Sequence, residues 1–134
     1  MRWHLHRPAA LVLIAAFLSC RMACPVLAGP YEDAAKAYER ADYRTAALMF
    51  TILAEKGNTS AQGALGLMYE QGIGVPQDHV LAYMWYYLAF MGAPVTEDSD
   101  LWAEKRRRIA YKMTTTQIYD AQKLAREWKP KQGR

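Results

Sequence analysis

Ser60-Ala-Gln-Gly-Ala-Leu-Gly-Leu-Met-Tyr-Glu-Gln-Gly-Ile-Gly-Val-Pro-Gln-Asp-His-Val-Leu-Ala-Tyr-Met-Trp-Tyr-Tyr-Leu-Ala-Phe-Met-Gly-Ala93 is the stretch from which the rest of the chain can be read. Ala61, Ala64, Leu65 and Met68 recur at i, i+3, i+4 and i+7, the spacing that gives a helix one apolar face. Gly72 and Gly74 then mark a tight turn. Asp78 suits the N-cap of a second helix, because its carboxylate can accept from the unpaired amides of a first turn. From Val80 to Met91 that second helix is apolar almost all the way round, so it must be covered on more than one side. Two antiparallel helices with neighbours before and after them are the result.

Ala64-Leu65-Gly66, Met68-Tyr69, Gly72-Ile73-Gly74-Val75, Asp78, Ala82, Trp85-Tyr86, Ala89 and Gly92 together resemble the Sel-1-like repeat, a relative of the tetratricopeptide repeat with a longer loop between its helices. Gly63 departs from the bulkier residue common on the first helix of that family. The resemblance implies an all-α, right-handed helical solenoid that works as a protein-interaction scaffold and not as a catalyst. It also gives Gly66, Gly72, Gly74, Asp78, Trp85 and Gly92 structural roles.

The flanks repeat the rhythm. Tyr31 to Arg40 reads as a short helix with Ala34, Ala37, Tyr38 and Ala41 inward. Asp42-Tyr43 turns the chain, and Thr45 to Lys56 makes a second helix stopped by Gly57-Asn58. At a shift of 35 residues Ala47 falls on Ala82, Met49 on Met84, Phe50 on Trp85, Leu53 on Leu88, Ala54 on Ala89 and Gly57 on Gly92. Residues 31–57 are therefore read as a degenerate copy of the repeat at 60–93. Beyond Gly92, Pro94 to Asp100 suits a polar linker and helix start. Leu101, Trp102, Ile109 and Met113 mark the inner side of a fifth helix. Thr114-x-x-Gln117 has the form of a capping box. Ile118, Ala121, Leu124, Ala125 and Trp128 form the stripe of a sixth helix, ended by Pro130. Residues 97–129 are expected to cap the stack as a third antiparallel pair, since a solenoid needs a terminal unit with one wet face.

Residues 1–28 have the three parts of a secretory signal: Arg2 and Arg7, an apolar run from Ala9 to Leu18, and Val26-Leu27-Ala28 as a small-residue cleavage site. The run is about half of the ~20 residues needed to span a bilayer, which favours removal over anchoring. Lipidation at Cys20 is the rival reading, and Phe17-Leu18-Ser19 lacks the usual leucine three residues before that cysteine. An exported chain, periplasmic or secreted, with residues 29–134 as its single domain, is the expectation. Cleavage would take both cysteines, Cys20 and Cys24, and with them any disulfide.

Charge narrows the partner. Residues 29–134 carry fourteen basic and thirteen acidic side chains, a net +1 that does not describe a general polyanion binder. Residues 29–100 are net −6 and 101–134 net +7, so one end of the stack is expected to be acidic and the other basic. Nucleic acid is not expected as a partner. A peripheral membrane contact is the alternative that Lys105-Arg106-Arg107-Arg108 raises, although a solvated helix face explains the same run.

Chemistry is sparse. Gly72-x-Gly74 follows a helix and has Gln77 where a dinucleotide fingerprint puts its third glycine, so it is a turn and not a phosphate loop. His79 has no second histidine or thiol to complete a metal site. Ser60 and Ser99 lack a nucleophile motif, and capping explains Ser60. No cofactor, metal or catalytic group is expected, and an envelope enzyme using paired buried carboxylates is the remaining alternative. The expected binding surface is a concave groove along the first helices of each pair, with Lys36, Arg40, Gln62, Leu67 and Glu70. Tyr83 and Tyr87, one turn apart, are added as partly exposed aromatics, and Arg106, Arg107 and Arg108 as a basic docking face.

Overall fold

The computed structural model describes residues 29–94 and 97–132, together with the course but not the side chains of Glu97 and Asp98. The expected signal, its expected cleavage site and Cys20 lie outside the described residues, as do Val95 and Thr96 of the expected linker. The described chain is all helical: α1 (Pro30–Glu39), α2 (Tyr43–Glu55), α3 (Thr59–Gln71), α4 (His79–Gly92), α5 (Glu97–Ala110) and α6 (Thr115–Glu127). No helix among them is long and apolar enough to cross a membrane.

Local chemistry sets the ends of these helices. Pro30 sits in the first turn of α1, where its missing N–H costs nothing. The end of α1 curls so that the Ala41 N–H donates to the Tyr38 carbonyl and the Asp42 N–H to the Ala37 carbonyl, each at 2.9 Å. That places Ala41 at φ +61°, exposed and left-handed, where the sequence suggested an inward helical residue. Asp42 caps α2 through the Thr45 N–H, so the helix starts two residues earlier than expected. Asn58, and not Ser60, caps α3 by accepting from the Ala61 N–H at 2.8 Å. Asp78 caps α4 by accepting from the Leu81 N–H at 3.0 Å. Thr114 and Gln117 form both bonds of the capping box, at 3.2 and 2.9 Å.

α4 is the centre of the stack. Ala82 through Tyr86 are five consecutive buried residues, and Ala89 is a sixth. One flank of the helix, Met84 and Trp85, joins Phe50, Leu65 and Met68 in a core shared with α1, α2 and α3. Its other flank, Ala82, Tyr83 and Tyr86, meets Ile109 of α5 and Ala121 of α6 in a second core. The helix is thus covered from Val80 to Phe90 as its apolar sequence demands, whereas Met91 in its last turn is exposed. Consecutive helices α1 to α4 pack in order, and α5 and α6 both lie against α4. α5 and α6 do not pack on each other as the expected third antiparallel pair; each lies against α4 instead, and Leu101 and Leu124 of the expected stripes are exposed.

The end of the chain ties α6 back to the first hairpin. Trp128 meets Trp85 edge-on with ring centroids 6.3 Å apart. Lys131 donates its backbone N–H to the Glu55 carbonyl and its ammonium to the Glu55 carboxylate, both at 2.7 Å. A cation at the carbonyl end of α2 also complements the helix dipole.

The expected acidic and basic ends do not form. α1 and α2 mix both signs, Glu70 is buried, and residues 97–100 open the same helix that carries the arginines.

Candidate functional site: a groove between α1 and α3

A surface groove opens between α1 and α3 over the middle of α2. Tyr31, Ala35, Tyr38 and Glu39 come from α1, Phe50 from α2, and Ala64, Leu67 and Met68 from α3. Spacing explains the α1 wall: Tyr31, Ala35 and Tyr38 stand at i, i+4 and i+7, a stripe beside the one that buries Ala34 and Ala37. The groove holds about 200 Å³. Its floor is rigid, because Phe50 and Met68 are buried core residues and Tyr31 lies 5.5 Å, ring to ring, from Phe50.

Of the expected groove residues only Leu67 lines it. Lys36 and Arg40 are exposed on the outer side of α1, with Lys36 4.0 Å from Asp33. Gln62 is buried, donating from Nε2 to the Ala54 carbonyl at 3.2 Å, so it joins α3 to α2 and faces no partner. Glu70 is also inward, 6% exposed. Its Oε2 accepts from the Tyr86 hydroxyl at 2.7 Å and its Oε1 from Arg108 Nη2 at 3.0 Å. Burial alone would raise the Glu70 carboxyl, but the bonds from Tyr86 and Arg108, with the charges of Arg108 and Lys105, hold it below its ordinary value. The Tyr86 phenol is pushed well up by burial and by the bond to Glu70. Neither group is poised for proton transfer near neutrality, and this carboxylate has two cations, Arg108 and Lys112, and a phenol as partners, not a second acid.

The other sequence candidates resolve similarly. Tyr83 is buried, with its hydroxyl 3.3 Å from Gln122 Nε2, so the expectation of exposure fails there. Tyr87 is half-buried beneath Arg106, whose guanidinium carbon lies 5.2 Å from its ring centroid and 4.9 Å from that of Phe90. Arg107 pairs with Glu104 one turn back, and Arg108 with Glu70. Each arginine of the run therefore already has a partner within the chain. His79 opens α4, Ser60 is exposed in the first turn of α3, and no group of acidic, histidine or cysteine side chains among the described residues could hold a metal.

The structural residues act through close approach. A side chain at Gly66 would meet the Tyr86 ring at 2.8 Å, which shows how tightly α3 and α4 cross. Trp85 is buried in the first core. Gly92 remains helical, unlike left-handed Gly57, and lies against Thr59. Gly63, the residue that departs from the family pattern, is covered by the Trp102 indole of α5, which also stacks on Tyr86 at 6.1 Å.

Short helices, of which α1 to α4 pack in sequence order, with a groove between the first and third, define a tetratricopeptide-like helical repeat. The family model of the Sel1 repeat matches residues 59–93, that is α3, the glycine loop and α4, so the centre of the chain is similar to a Sel1 repeat. No curated protein and no solved structure matches the chain.

Proposed function

We propose that this chain is an exported, non-catalytic interaction module that holds a peptide or a partner's loop in the groove between α1 and α3. Sel1 repeats are protein-interaction modules in general, and the groove is the observation that brings that role to particular residues here. Its walls are apolar apart from Glu39 and its floor belongs to the core, so it offers contact area without a large ordering cost. Export rests on the pattern of residues 1–28, with the periplasm or the exterior as the destination. The engaged arginines weigh against a basic docking face.

Photo-crosslinking from position 35, in cells carrying the full chain, tests this reading. A partner captured by the parent and lost in Leu67→Arg is the expected result, together with recovery of the protein from the envelope or the medium. Unchanged capture in Leu67→Arg would remove the groove from the function, and a cytoplasmic chain retaining residues 1–28 would remove export.

A further inference from the structure

The groove's own chemistry narrows what it can hold. Its lining is aromatic and aliphatic except for Glu39, at the last turn of α1. Among the described residues Glu39 pairs with no lysine or arginine, and no cation lines the groove. Lys36 is turned toward Asp33, and Arg40 lies on the opposite side of α1 from Tyr38 by helical spacing. An acidic segment laid here would bring its charge against Glu39, whereas a basic one would find an unmatched carboxylate beside an apolar slot.

The opening is also short. The interval between α3 and α5 that would continue it is filled where Trp102 covers Gly63. Arg108 fastens α5 to Glu70 on the same side. One interval remains open, of a volume suited to a single large side chain.

We propose that the groove takes a short peptide segment with one bulky apolar side chain and a lysine or arginine beside or near it, the apolar group against Phe50 and Met68 and the cation at Glu39. This rests on the interaction reading above. The test titrates the full isotope-labelled chain, followed by amide NMR shifts, with three acetylated, amidated hexapeptides of serine and glycine carrying Leu-Lys, Leu-Glu or Ala-Lys at the centre.

The expected result is that Leu-Lys shifts the amides of Ala35, Glu39 and Leu67 and binds more tightly than Leu-Glu by about two- to fivefold at low salt. Ala-Lys should bind weakest. Glu39→Lys should reverse the order of Leu-Lys and Leu-Glu. That variant keeps its helix, because the position is exposed and a cation suits the last turn. Equal affinities for Leu-Lys and Leu-Glu, or an order unmoved by Glu39→Lys, would overturn the proposal while leaving the groove as a binding site. Shifts confined to other surfaces, or none with any peptide, would overturn it as well. Loss of the cellular crosslink in Leu67→Arg would then still stand as separate support for the groove.

Discussion

Gly72 and Gly74 share a left-handed backbone, with φ of +68° and +73°, yet their surroundings differ. A Cβ at Gly72 would stand 3.1 Å from Gln77 Cβ and 3.3 Å from its backbone nitrogen, tight contacts that a shift of a few tenths of an ångström in this exposed loop residue relieves. A Cβ at Gly74 would run into the Tyr43 carbonyl at the start of α2, lying 2.8 Å from its carbon and 2.9 Å from Met68 Cε. The carbonyl is main chain and cannot rotate away. In Gly72→Ala the left-handed cost of about 1–2 kcal/mol is partly offset by the smaller unfolded-state entropy of alanine, leaving about 1 kcal/mol. Gly74→Ala carries the same cost and an overpacking penalty of about 1–3 kcal/mol, so its total is about 2–4 kcal/mol. For a domain near this size 1 kcal/mol moves the melting temperature by about 4–8 °C. Thermal melts followed by helical circular dichroism should therefore place Gly74→Ala at least about 4 °C below Gly72→Ala. Coincident melts, or the opposite order, would refute the claim that this loop is pinned against α2.

Glu70→Gln should cost about 1–3 kcal/mol at neutral pH, because the Tyr86 bond is weakened in a buried site and the half-exposed Arg108 loses its counterion. The folded-state pKa of Glu70 lies below its ordinary 4.5, so its stabilisation is complete above that value and is lost as the pH falls through the folded pKa. Urea melts of parent and variant should accordingly converge in acid, and a gap that persists at low pH would contradict the assignment. Ala41→Gly should stabilise by about 0.5–1 kcal/mol, the relief of a left-handed alanine less the added unfolded entropy; a lower melting temperature would show that Ala41 is not strained. Trp128→Ala should cost about 2 kcal/mol through its edge-on contact with Trp85. In that variant hydrogen exchange should quicken at the Lys131 amide, which is bound to Glu55, and unchanged exchange there would separate the tail from the tryptophan.

What the sequence disclosed was local. Asp78, Gly57 and the Thr114-Gln117 box act within four residues of themselves, so their chemistry is complete in a short window. Val80 to Met91 was legible for another reason: a helix without a polar face can only be interior, whichever neighbours surround it. The groove was not legible, since periodicity gives the width of an apolar face but not which helix covers each part. Tyr38 was taken as core when it is the boundary between core and opening.

Gln62 and Glu70, expected along the groove, are buried for a common reason, since a polar group is costly to bury only when unpaired. Both are paired, Gln62 with a carbonyl eight residues back and Glu70 with a phenol 16 and a guanidinium 38 residues on. Partners at such distances follow from the stacking of pairs, which brings α5 across α3 and α4. The same stacking explains Gly63: the missing side chain on α3 is replaced by Trp102, so the departure from the family pattern and the closure of the groove beyond α3 are one packing event. A bulky residue at position 63 would therefore have to displace the indole from its place on Tyr86.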